Sequence, residues 1–91
     1  MGKRTVGYEN VKTGVNPLSL HRSGDTVYVS EIYGGKGARK KLFDLGIIPG
    51  VQIEVVQGTR GFPYILRVGG TRVMLGWGMV QKILVQKKKK R

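Results

Sequence analysis

Gly34-Gly35-Lys36-Gly37-Ala38-Arg39-Lys40-Lys41-Leu42-Phe43-Asp44-Leu45-Gly46-Ile47-Ile48-Pro49-Gly50 decides the fold. Two glycines open the stretch. Ala38, Leu42 and Leu45 then fall at i, i+4 and i+7, the spacing that gathers side chains on one face of a helix. Gly46 stands where a helix stops in the left-handed conformation, and Pro49 follows shortly after. The stretch predicts one short helix at about 37–45, then a Pro-Gly turn that launches a strand. Two turns of helix are marginal in water, so this one must be held by what it packs against.

On both sides the chain reads as strand. Upstream, Pro17-Leu18-Ser19-Leu20 begins the domain, Ser23-Gly24-Asp25 is a turn, and Thr26 to Tyr33 is rich in β-branched and aromatic residues. Its apolar alternation slips between Val29 and Ile32, which predicts a bulge. Downstream, Val51, Ile53 and Val55 alternate with polar residues. Tyr64 to Val68 and Thr71 to Leu75 are joined by Gly69-Gly70, a two-residue loop suited to the primed turns of tight hairpins. That register sets Val68 against Thr71, Leu66 against Val73, Tyr64 against Leu75 and Arg67 against Arg72. Gly76 to Gln81 is a tight connector with room for one helical turn, and Lys82 to Gln86 closes the set. About five strands at short spacing with one short helix predict an all-β domain closed as a small barrel, because closure removes exposed sheet edges. Leu42, Leu45, Ile53, Val55, Leu66, Val73 and Leu75 are the expected core.

The chain has 91 residues, enough for one domain with a limited core. Residues 1–16 read as a loose extension, 17–86 as the barrel domain and 87–91 as a basic tail. Cysteine is absent, which removes disulfides, thiolate metal sites and thiol catalysis. No stretch reads as a signal peptide or a spanning helix, so the expectation is a soluble, cytoplasmic protein. Lys and Arg number 17 against 5 acidic residues, a net charge of +12. The segment from Pro17 to Gln86 keeps nine basic and four acidic residues; Lys87, Lys88, Lys89, Lys90 and Arg91 form the tail. An anionic partner is favoured: nucleic acid, a membrane surface or an acidic protein.

Pro17-Leu18-Ser19-Leu20, Gly34-Gly35 and Lys41-Leu42-Phe43-Asp44-Leu45-Gly46-Ile47-Ile48-Pro49-Gly50 together resemble the FeoA family, small accessory proteins of bacterial ferrous iron uptake. Val68-Gly69-Gly70-Thr71-Arg72, Leu75-Gly76 and Ile83-Leu84-Val85 fall in the same pattern. The resemblance covers residues 17–86. It implies an SH3-like barrel with an inserted helix, similar to the barrel at the end of some metal-dependent repressors. It also implies a place beside the ferrous permease, whose cytosolic part is a GTP-binding domain, with peripheral location at the inner face of the membrane. The extension and the basic tail lie outside it.

No Ser/His/Asp grouping at a recognisable catalytic spacing is present, and the five carboxylates Glu9, Asp25, Glu31, Asp44 and Glu54 are scattered, so an enzyme is not expected. Gly34-Gly35-Lys36-Gly37 lacks the Walker spacing and reads as a turn. His21 is the one imidazole; with Asp25 it forms the weak candidate for a divalent transition metal, Fe2+ by family association, and a surface histidine is the plainer expectation. Arg39, Lys40 and Lys41 crowd the first turn of the helix while Asp44 sits in its last, both against the helix dipole. Arg67 facing Arg72 is likewise unfavourable unless the two splay or find a counter-charge. Two unfavourable choices of one sign point to a partner-binding surface. Trp77, between glycines, is either a plug over the barrel mouth or an anchor for a partner. The tail suits anionic lipid or nucleic acid. The expected function is a non-enzymatic interaction module in ferrous iron transport that modulates the permease through its GTP-binding domain. The alternative is a basic small-barrel nucleic-acid binder, with Tyr28, Tyr33, Phe62 and Tyr64 available for stacking.

Overall fold

The glycine-bounded helix forms over Lys36–Asp44 (α1). Its end is a Schellman stop: Gly46 sits at φ +86, its N–H donates to the Phe43 carbonyl, and the Ile47 N–H reaches back to the Leu42 carbonyl at 2.9 Å. The stop corrects one core assignment. Leu45 is the C-cap, where the backbone has already left the helix, and it stays 36% exposed. Ile47, two residues on, takes its place and is fully buried with Leu42.

The computed structural model describes residues 14–88. In chain order the strands are β1 (Val15–Pro17), β2 (Thr26–Ile32), β3 (Gln52–Gln57), β4 (Tyr64–Val68), β5 (Thr71–Leu75) and β6 (Ile83–Gln86). A 3-10 turn, Leu18–Leu20, follows β1, and a single helical turn, α2 (Trp77–Val80), joins β5 to β6. The strands make one antiparallel sheet in the order β1-β6-β2-β3-β4-β5, coiled into a small SH3-like barrel. Among the described residues there are six strands rather than about five. The extra one, β1, recruits Val15 and Asn16 from the stretch read as extension and pairs them with Gln86 and Val85.

Period-2 alternation points Val27, Val29, Ile53, Val55, Leu66, Val73, Leu75, Ile83 and Val85 into one core, with Leu18, Leu42, Ile47 and Val80 closing it. The Gly69-Gly70 hairpin has the predicted register, and both glycines have positive φ, as a type I′ turn needs. The bulge in β2 lies between Val29 and Glu31 against β6. A second register shift, between Val55 and Gln57, bends β3 against β4.

Candidate interaction surface

α1 lays Ala38 and Leu42 toward the sheet, and the opposite stripe is Lys36, Arg39, Lys40 and Phe43, spaced by three and four. With Gly34, Gly35 and Asp44 these residues line a shallow groove of about 690 Å³. Phe43 is 47% exposed within it. Lys40 Nζ lies 3.2 Å from Asp44 Oδ2, one turn on, with both groups well exposed. Lys36 and Arg39 have no carboxylate within salt-bridge distance among the described residues. Lys41 is exposed but lies off the stripe, outside the groove. The first turn contains no acid and no side-chain cap, and Lys36 and Arg39 stand in it, where the dipole is positive. Because the helix starts at Lys36, Lys40 lies past that turn and Lys41 falls in the last one, where a cation is favourable. This corrects the expectation that Arg39, Lys40 and Lys41 crowd the first turn.

A second groove, about 550 Å³, runs between the end of α1 and the outer edge of β5. Asp44, Leu45, Val51, Val68, Arg72 and Met74 line it, and Asp44 borders both grooves. Arg72 therefore joins the α1 surface. Arg67 does not: its Nε donates to Glu54 Oε1 at 3.2 Å across the β3–β4 pair. Glu54 is the counter-charge that lets Arg67 and Arg72 face each other in the hairpin. Trp77 lines neither groove. It is half-buried, packed on the core, with its ring centroid 6.0 Å from that of Tyr64 at 45°.

His21 is not a surface residue; only 6% of it is exposed. Nε2 lies 2.8 Å from Asn16 Oδ1 and Nδ1 lies 3.2 Å from Asp25 Oδ2. The ring thereby ties β1 to the turn that precedes β2. Asp25 Oδ2 also accepts the Arg22 backbone N–H, which, ahead of partial desolvation and with help from His21 and Lys87, holds its carboxyl below the usual carboxylate range. Both imidazole nitrogens already face oxygens, and no cluster of three metal-ligating side chains occurs among the described residues. The pair does not fit a metal site. Lys87, the first residue of the tail, lies 3.9 Å from Asp25 Oδ1. Lys88 is exposed, and Lys89, Lys90 and Arg91 lie outside the described residues, as do residues 1–13.

Of the aromatics considered for base stacking, Tyr64 is fully buried and Tyr28 half-buried, which leaves Tyr33 and Phe62 exposed. Two exposed features escaped the sequence reading. Lys36 and Phe43 belong with Arg39 and Lys40, and their spacing of three and four residues was the available signal. Phe62, Ile65 and Met74 share a groove of about 440 Å³ on the outer face of the hairpin. Ile65 and Met74 are cross-strand partners in the Gly69-Gly70 register, so that half of the patch was readable too.

The family model and a curated relative identify one family, and the solved structures that share the fold include its members and metal-dependent repressors. The family model of the FeoA domain matches residues 16–87. A Fe(2+) transport protein A of Methanocaldococcus jannaschii is 33% identical over 70 residues, covering 77% of this chain and 84% of that protein. A crystal structure of an iron uptake regulatory protein, FeoA, superposes with a TM-score of 0.77 at 39% identity, covering 81% of this chain and 99% of that one. The solution structure of a FeoA-like protein from Clostridium acetobutylicum gives 0.72 at 26% identity, covering 86% of this chain and 92% of that one. A manganese-dependent transcriptional repressor shares the fold, with a TM-score of 0.75 at 21% identity, over 81% of this chain and 42% of the repressor. With matching sequence across the whole barrel and matching architecture around the inserted helix, this chain belongs to the FeoA family, whose members take part in ferrous iron transport.

Proposed function

We propose that this chain is a non-enzymatic accessory module that binds the cytosolic GTP-binding domain of a ferrous permease through α1 and modulates transport from the inner face of the membrane. In this reading ferrous iron is the cargo of the system, and no residue of the chain is assigned to hold it. One observation carries the proposal beyond the family. α1 bears Lys36 and Arg39 in a first turn that contains no acid, a placement that works against the helix's own stability. Lys36 and Arg39 are exposed and have no carboxylate partner among the described residues, and the helix is held by Leu42 and Ile47 from beneath, so these two charges serve nothing in the barrel. A negatively charged partner surface is what such a face complements.

The test is titration of isotope-labelled chain with the permease's cytosolic domain, read as backbone amide shifts at physiological salt. Saturable shifts over residues 36–44 and at Arg72 are expected. The double substitution Arg39→Ala and Lys40→Ala should weaken the complex about tenfold and flatten its salt dependence. A complex whose shifts fall on Phe62, Ile65 and Arg67 instead, or no complex at all, would overturn the assignment.

A further inference from the structure

The α1 groove carries more than charge. Its cations and its one large apolar side chain lie on the same helical stripe, 36, 39, 40 and 43, and its wall at Gly34-Gly35 has no side chains. A Cβ placed at Gly35 would meet nothing within 4 Å, so the backbone there is open to an approaching chain. Phe43 is nearly half exposed although Leu42 beside it is fully buried. Purely electrostatic attraction to a lipid or polyphosphate surface needs only the lysines and arginine. A phenylalanine between them, at the mouth of a groove, adds a contact that selects an apolar group with acids around it.

We infer that the α1 groove receives an acidic peptide segment of a partner protein, one large apolar side chain of which packs on Phe43 while flanking carboxylates meet Arg39, Lys36 and Lys40. This rests on the reading of α1 as the contact surface and names what that surface selects. Charge complementarity commits the site to an acidic occupant: Asp44 is its one acid, against the three cations Lys36, Arg39 and Lys40. Lys41 lies outside the groove and contributes only to the general field.

The experiment uses the full chain and three short synthetic peptides: glutamates around a central leucine, the same peptide with alanine for leucine, and the same with glutamine for glutamate. Binding of the first is expected, with shifts centred on Gly34 to Asp44. The other two should bind at least about tenfold more weakly, the scale of losing an interface anchor. Phe43→Ala and Arg39→Glu should each cause a similar loss, and Lys41→Glu a clearly smaller one. Phe43 is exposed and Arg39→Glu favours the helix dipole, so both variants keep the fold, checked by their melting temperatures. Equal losses from Lys41→Glu and Arg39→Glu would reduce the groove to diffuse attraction and overturn the inference. So would an unchanged affinity on replacing the leucine, or binding to vesicles of phosphatidylglycerol with no binding to the first peptide. The permease domain is titrated in parallel with the same variants. A domain that binds α1 but ignores Phe43→Ala overturns the groove and leaves the proposed partner. Peptide binding without domain binding does the reverse.

Discussion

Gly58 meets Tyr64 at close range. A Cβ there would lie 2.7 Å from the Tyr64 ring and 3.0 Å from Val55, so the position needs a residue with no side chain. The ring cannot retreat freely, because its hydroxyl donates to the His21 carbonyl at 2.7 Å and lies 3.1 Å from the Ser19 carbonyl. Gly58→Ala should therefore cost about 1–3 kcal/mol, as overpacked sites do. Tyr64→Phe should cost about 1–3 kcal/mol by leaving a buried carbonyl without its donor. Urea denaturation measures both. Asp25 gives the pH test at this scale. Folding lowers its pKa, so its contribution is present above the ordinary carboxylate value near about pH 4 and is lost as the pH falls through the folded value. Asp25→Asn should reduce stability at neutral pH and flatten its fall on acidification, read from urea midpoints across that range. The sequence placed Tyr64 opposite Leu75 and paired His21 with Asp25, four residues on, but carried no sign that Tyr64 bonds the His21 carbonyl. Tyr64 reaches that carbonyl from 43 residues away, and no local spacing announces such a meeting.

At the scale of elements, legibility followed local chemistry. Gly46 and Gly69-Gly70 announced the helix stop and the hairpin because their backbone conformations, with positive φ, are ones other residues take up reluctantly. Gly46→Ala should cost about 1–2 kcal/mol for that reason. Helix α1 offers the opposite case. Arg39→Glu removes a cation from the first turn and adds an acid, which should stabilise the chain by about 0.3–1 kcal/mol, seen as a raised melting temperature. A variant that is more stable and binds less would separate the helix's contact role from its structural one. β1 was illegible: Val-Asn-Pro has no alternation to read, and its pairing with β6 joins residues near the two ends of the described chain. Pro17, which has no N–H to give a neighbour, is tolerated there because β1 is an edge strand. The second bulge, at Val55 to Gln57, was hidden because Val56 continues a β-branched run across it.

Over the whole molecule, the question is whether the charge acts as one field or as separate devices. Of the net +12, +5 lies in the domain, +5 in the five-residue terminal run and +2 in residues 1–16. The structure gives these different neighbours. The α1 cations border grooves that contain Phe43, Leu45 and Met74, whereas Lys87 leaves beside Asp25, at the turn tied to β1 through His21. The buried core ends at Val85, and the Lys87–Asp25 contact is exposed and long, worth at most about 1 kcal/mol. A chain truncated after Gln86 should thus keep its melting temperature within a few degrees. Five tail cations contribute about 1 kcal/mol each near an anionic bilayer, so the truncated chain should lose most of its affinity for phosphatidylglycerol vesicles. Its affinity for the permease's cytosolic domain at physiological salt should change little, because screening confines the tail's field to within about 8 Å. Loss of both affinities on truncation would make the tail the principal contact and refute α1 as the recognition element. Loss of vesicle binding alone would assign the tail to localisation and α1 to the partner, two functions carried by one basic chain.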